Sequence, residues 1–184
     1  MPGTEDEMSI FASMGAAVGL LIGLIICVIL FRYANTDKKI KTEYDERQQI
    51  VRFRAYRLAF YTIMVFEALV CIAGIGGFEL PMVSYVQHFT GVMIGATVLG
   101  VYCIWHDVYW GLNNNKTRYM LIFVFTAILN CIPIIGAAKS GNLITDGKLG
   151  MAALNIMVIA MLIVVVVTLL IKQIADKGGK GEEE

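Results

Sequence analysis

Charge is scarce in this chain. Asp, Glu, Lys and Arg make up only 16% of its 184 residues, and fifteen basic side chains balance fifteen acidic ones for a formal net charge of zero. A soluble domain of this length rarely does with so little charge. Histidine is scarcer still: His88 and His106 are the only two. They fall on one apolar run, about 27 Å apart at helical rise, so they cannot share a metal or clamp a haem. The four cysteines, Cys27, Cys71, Cys103 and Cys131, fall in different apolar runs with no CxxC pair. That spacing argues against a redox enzyme, and small buried residues are the expectation. No metal and no cofactor is expected. Long polar stretches are missing as well. The longest, 32–57, is too short to bury a core of its own, and neither a fixed-period repeat nor an inverted repeat is present.

What the chain has instead is apolar residue, 58% of the total, gathered into runs at 10–31, 58–76, 82–105, 119–138 and 149–171. Each holds about 20 residues, enough to cross ~30 Å of hydrocarbon at 1.5 Å per residue. The expected fold is therefore all-α, an integral membrane bundle of five transmembrane helices. Punctuation agrees. Gly74, Gly76, Gly77 and Pro81 break the second run from the third, and Asn113, Asn114 and Asn115 break the third from the fourth. Ser140, Gly141, Asn142, Asp146 and Gly147 break the fourth from the fifth.

Basic residues set an orientation, because they resist translocation. Arg32, Lys38, Lys39, Lys41, Arg47, Arg52, Arg54 and Arg57 follow the first run, Lys116 and Arg118 the third, and Lys172, Lys177 and Lys180 the fifth. Only Lys139 and Lys148 lie in the alternate segments. The N-terminus is expected outside and the C-terminus in the cytoplasm. Glu5, Asp6 and Glu7 precede the first run, which reads as a retained signal anchor rather than a cleaved signal peptide. The domain plan is an extracytoplasmic tail 1–9, a membrane domain 10–172 with a basic cytoplasmic helical extension at 43–57, and a flexible cytoplasmic tail 173–184.

Gly15, Gly19 and Gly23 recur every fourth residue along the first run, beside Ala12 and Ala16, and Gly91 and Gly95 repeat the spacing in the third. Small residues so placed let helices approach closely in lipid, within one subunit or along a homo-oligomer seam. Thr42 followed by Asp45 matches a capping box and predicts a helix from about Glu43 that runs into the second span, with Glu43 and Arg47 as a favourable pair. The string Asp45, Glu46, Arg47, Gln48 resembles the "DERQ" string that a group of small multi-pass bacterial membrane proteins, common among Gram-positive species, carry at the cytoplasmic start of a span. The similar stretch covers about 42–61, and 102–119 is similar too. That family has no established activity; what the resemblance implies is a bacterial plasma-membrane protein.

The basic segment suits the anionic inner leaflet, where each Lys or Arg near the surface contributes about 1 kcal/mol. Arg47, Arg52, Arg54 and Arg57 are the candidates for contact with anionic lipid headgroups or with a partner. Acidic residues are interleaved among them, which argues against nucleic acid. Within the spans the sharpest feature is Glu67. A carboxylate at that depth costs about 2.5 kcal/mol or more unless it is neutral, paired or hydrated. Counted from the inner end of each run, Glu67 lies at about 13 Å, Thr97 at ~12 Å, Thr126 at ~10 Å and Asn130 at ~16 Å, so these four are expected to form one polar layer, loosened by Pro133. At the inner interface Trp105, Tyr109, Trp110 and Tyr119 read as a headgroup belt, with His106 and Asp107 among them as a candidate acid–base pair.

Three function classes follow. The short chain with few intramembrane polar groups points first to a non-enzymatic accessory or scaffold protein that engages lipids or other membrane subunits. A small oligomeric proton- or cation-responsive transporter or channel would use Glu67. A lipid-modifying membrane enzyme would use His106, Asp107 and Glu67.

Overall fold

Helices account for most of the chain, in the order α1 (Gly3–Ala34), α2 (Glu46–Ile75), α3 (Ser84–Trp105), α4 (Lys116–Lys139) and α5 (Ala152–Lys180). A two-residue ladder, β1 (Ile144–Thr145) with β2 (Lys148–Leu149), separates α4 from α5. The computed structural model describes residues 3–180, with side chains at Met14, Val18, Gly19, 21–144 and 146–177. Helices α2, α3, α4 and α5 are each long and apolar enough to cross a membrane, the multi-pass character that the apolar runs imply. In α1 the described apolar stretch is Leu21–Ala34. The side chains of Ala12, Gly15 and Ala16, and with them much of the predicted first span, lie outside the described residues.

Helix α2 begins at Glu46, not Glu43. Its N-cap is Asp45, whose carboxylate accepts from the Gln48 backbone N–H at 2.6 Å while the Gln48 side chain accepts from the Asp45 N–H at 3.2 Å. The DERQ string is thus itself a capping box, with Glu46 in the first turn where the helix dipole favours an acid. Thr42 cannot cap because the backbone after it is already committed. The Glu43 N–H donates to Asn113 Oδ1 at 2.9 Å and its carbonyl accepts from the Leu112 N–H at 2.8 Å. The expected Glu43–Arg47 pair is likewise replaced, by Glu43 with Lys39 at 3.0 Å.

Three helices end in the same way. Gly77, Asp107 and Gly141 all have positive φ (72°, 60° and 72°). After each, the next N–H reaches back to the carbonyl five residues earlier: Phe78 to Ala73, Val108 to Cys103 and Asn142 to Ala137, each at 2.9 Å. This is the Schellman closure, which satisfies carbonyls that the helix leaves open. The turn Asp146–Gly147 has positive φ at both positions (53° and 74°), the two-residue geometry that joins β1 to β2. Helix α5 continues to Lys180, so 173–180, expected as flexible tail, has helical backbone; Lys172 and Asp176, one turn apart at 2.8 Å, pair along it.

The chain divides into two units. In the larger, 44–111 with 123–184, α3 packs on both α2 and α5. It runs antiparallel to α2, so that Gly91 faces Phe66 and Gly95 faces Ile63 and Ala59, and parallel to α5. At the start of α3 the Val83 N–H donates to Leu149 at 3.2 Å, and the Leu149 N–H donates to Pro81 at 2.9 Å. Lys148 meets Glu79 there at 2.7 Å, and this hydrogen bond and the lysine charge hold the Glu79 carboxyl below its usual range. Past the far end of α3, Asp107 meets Lys172 at 3.3 Å. A core of Ala55, Cys103 and Val108, ringed by Val51, Leu99, Tyr102 and Tyr109, fixes α2 to the end of α3. Cys103 is buried as expected, but Cys27, Cys71 and Cys131 are exposed; Cys131 sits on α4, which buries none of its residues.

In the smaller unit, 1–43 with 112–122, the asparagine run does more than separate helices. Asn113 Nδ2 donates to both Asp37 oxygens at 3.2 Å and to the Lys41 carbonyl at 3.0 Å, and its own carbonyl accepts from the Thr36 N–H at 2.8 Å. Buried Asn35 donates to the Lys39 carbonyl at 2.8 Å and accepts from Asn114 at 2.7 Å and from the Tyr119 hydroxyl at 3.2 Å. Arg118 lies over the Tyr33 ring and donates to its carbonyl at 2.9 Å. The polar loop after α1 is therefore held by side chains that bond backbone, a network stable only when every member is satisfied.

Candidate functional site

Glycine brings α2 and α3 close enough to assemble a polar pair between them. A Cβ built on Gly91 would lie 2.7 Å from Phe66 Cδ1 and 2.8 Å from Glu67 Oε1, and one on Gly95 would lie 2.5 Å from Ile63 Cγ1. Across this seam Glu67 Oε2 sits 2.7 Å from His88 Nδ1, with the carboxylate side chain 28% and the imidazole 54% exposed. One proton shared between them leaves the pair without net charge, whichever residue holds it. That is a way to keep a carboxyl group among apolar surroundings without the cost of an isolated ion.

The expected layer of Glu67, Thr97, Thr126 and Asn130 is not assembled. Thr97 donates to the Met93 carbonyl at 2.7 Å and Asn130 to the Thr126 carbonyl at 2.8 Å, each inside its own helix. Backbone carbonyls one turn back satisfy both side chains locally, so neither has to reach across a helix gap. His88 is the partner that depth counting missed. Distances taken from the inner ends of the spans placed it far from Glu67. Counted outward from the short turn at Gly77 they come together, because a tight connection forces equal displacement along both helices. The stripe on α1 behaves differently from Gly91 and Gly95. Nothing lies within 4 Å of where a Cβ would sit on Gly19 or Gly23, so they pack against no described part of the chain; the Gly15 side of that stripe lies outside the described residues.

At the other end of the α2–α3 pair the arginines divide. Arg52 is used by the fold: its guanidinium lies 4.0 Å above the Tyr44 ring, and it donates to the Val108 carbonyl at 3.2 Å and to the Tyr56 hydroxyl at 2.9 Å. It therefore clamps the fold. Arg47, Arg54 and Arg57 are exposed and make no hydrogen bond or ion pair among the described residues. Arg54 and Arg57 line a hollow of about 430 Å³ with Leu58, Tyr61 and Tyr102. Leu58 and Tyr102 also wall a second hollow of about 400 Å³, whose other sides are Thr97, Val98, Val101, Trp105 and His106.

His106 and Asp107 do not form an acid–base dyad. The His106 ring stacks on Tyr102 at 4.0 Å and its Nδ1 donates to the Tyr102 carbonyl at 2.8 Å. Asp107 occupies the left-handed position that closes α3, and its carboxylate turns to Lys172. Adjacent residues at a helix terminus diverge, which the dipeptide could not reveal. Among the described residues there is no group of three or more His, Cys, Asp or Glu placed to hold a metal ion. No protein-family model, curated protein or solved structure matches the chain.

Proposed function

We propose that this is a bacterial plasma-membrane protein that crosses the bilayer five times, N-terminus outside and C-terminus in the cytoplasm. In this reading it is a non-enzymatic accessory or scaffold protein that engages anionic inner-leaflet headgroups and other membrane subunits. The division among the arginines carries the proposal: Arg52 is spent on internal contacts, while Arg47, Arg54 and Arg57 project outward from α2 with no counter-charge among the described residues. Outward cations beside a belt of Trp105, Tyr109 and Trp110 suit a headgroup layer. The faces of α4, none of whose residues is buried, are the surface a neighbouring membrane subunit would cover. Native mass spectrometry of protein extracted in mild detergent tests the lipid part. Retention of phosphatidylglycerol or cardiolipin over phosphatidylethanolamine is the expected result, and no preference by headgroup charge would overturn it. Orientation is checked with an impermeant maleimide on single cysteines at Thr4 or Lys41 in a cysteine-free background; labelling of Lys41→Cys but not Thr4→Cys from outside intact cells would refute it.

A second reading is favoured by one observation, the Glu67–His88 contact at 2.7 Å. Two groups that pass one proton between them inside a span are what a proton-responsive transporter or channel uses. Proton flux into vesicles reconstituted with wild type but not with Glu67→Gln would support this reading over the first.

A further inference from the structure

We infer that the end of α2 and α3 forms a binding site for one anionic phospholipid, its phosphate between Arg54 and Arg57 and an acyl chain along Val98, Val101 and Trp105. This deepens the lipid-engaging reading above and rests on it. The two guanidinium groups lie three residues apart on one helix face, the spacing at which side chains meet the same ligand. Both line the first hollow, and no carboxylate lines either hollow. The two Arg forks supply N–H donors and no acceptor, a set that an anion can use fully. Each hollow falls within the roughly 300–1,000 Å³ of small-molecule sites, and they meet at Leu58 and Tyr102.

Depth commits the site to a lipid rather than to free phosphate. Across the seam the Gly95 position meets the Ala59 carbonyl. From that level Arg57 lies two residues back along α2 and Trp105 ten residues on along α3, so the Cα of Arg57 is the deeper of the two. A cation rooted below the interfacial belt either snorkels out or draws a phosphate in. The second hollow continues from His106 to Thr97, about 13 Å deeper at helical rise, and its walls are mainly Val98, Val101, Leu58 and Trp105. A cationic mouth followed by an apolar slot in that order fits a headgroup followed by a chain.

The test uses Trp105 as reporter, with Trp110→Phe removing the other tryptophan. The protein is reconstituted in phosphatidylcholine bilayers containing a minor fraction of phosphatidylglycerol brominated on its acyl chains, or the same fraction of brominated phosphatidylcholine. Quenching by the anionic probe severalfold above that of the zwitterionic probe is expected. The excess should vanish in Arg54→Gln/Arg57→Gln and persist in Arg47→Gln. Circular dichroism on each variant reports whether it is folded, and Arg54→Lys/Arg57→Lys, which keeps the charge, should retain part of the excess. If all arginine variants keep the anionic excess, lipid engagement stands and this site is wrong. If Arg47→Gln loses it equally, diffuse surface charge explains it and the site is again wrong. Equal quenching by both probes in the wild type overturns the site and the lipid-engaging reading together.

Discussion

Replacing Gly95 by alanine adds one methyl group where two helices are closest, and the structure sets both the sign and the size of the effect. The new Cβ would lie 2.5 Å from Ile63 Cγ1, 2.7 Å from Ile63 Cδ1 and 3.2 Å from the Ala59 carbonyl oxygen. Ile63 can turn its distal methyl away, but its Cγ1 is near the root of the side chain and the carbonyl belongs to backbone. Helix α2 has to move back. Overpacking of this kind costs about 1–3 kcal/mol, while removing a mid-helix glycine returns about 0.5–1 kcal/mol. The net expectation is a loss of up to about 2.5 kcal/mol. Gly136 in α4 is the matched control, because nothing lies within 4 Å of its position, so Gly136→Ala should show the helix gain alone. Unfolding by SDS in mixed micelles, followed by circular dichroism, should place Gly95→Ala below the wild type and Gly136→Ala at or above it. Gly91→Ala should cost less than Gly95→Ala, since it meets the movable ends of Phe66 and Glu67, yet it displaces the carboxylate that faces His88. Equal midpoints for Gly95→Ala and Gly136→Ala would refute the close approach of α2 and α3.

Asp107→Gly should leave α3 and its stability near wild type, because glycine adopts φ of 60° freely. Asp107→Ala should fall below Asp107→Gly by about 1–2 kcal/mol in the same micelle assay, and an equal effect of both would mean the carboxylate, not the backbone, matters there. Asn113→Ala removes the partners of the Glu43 N–H, the Lys41 carbonyl and Asp37, about 1 kcal/mol for each lost bond. Faster hydrogen exchange at Glu43 and cleavage within 36–43 by added protease are the readouts, and unchanged protection would contradict the network. The Lys39 backbone N–H, opposed next by desolvation and then aided by the Asn113 amide and the Lys39 charge, holds the Asp37 carboxyl below its ordinary 3.8. Its contribution is thus complete above pH 3.8 and is lost as pH falls through the lower folded value; exchange at Glu43 should accelerate only in that acid range, and Asp37→Asn should abolish the step. Glu67→Gln should preserve the fold through a hydrogen bond to His88, whereas Glu67→Leu leaves the imidazole without its partner and should lower the unfolding midpoint; indistinguishable variants would mean the contact contributes nothing.

The four long apolar helices from α2 to α5 were legible because they depend on length and apolarity alone, and tertiary contacts cannot change how many residues ~30 Å requires. The start of α2 was not. Thr42 and Asp45 both suit an N-cap, and local chemistry ranks them almost equally. The choice falls to Asn113, seventy positions away, which ties down the Glu43 N–H and leaves Asp45 as the first residue free to cap. The same asparagines carry no periodicity, so a pattern search sees punctuation where the fold has a lock. Asp107 fails for another reason. Whether an acid beside a histidine serves chemistry or closes a helix depends on its φ, and Asp is among the residues that tolerate the left-handed region.

Glu67 shows which kind of inference was recoverable. Its partner was out of reach of reasoning that measured each span from its expected inner end, because α2 runs on past the predicted boundary at 58 to Glu46 and that end is no common origin. The turn at Gly77 is one: it joins both helices, so positions at like distances from it face each other, and Glu67, ten residues before it, falls opposite His88, eleven after it. Gly91 and His88 occupy successive turns of α3, the first making room for the carboxylate and the second receiving it. A small residue and a polar one at that spacing, facing a lone acid across a tight hairpin, are therefore one feature. Substituting the glycine should weaken the geometry of the pair, because the added Cβ would lie 2.8 Å from Glu67 Oε1.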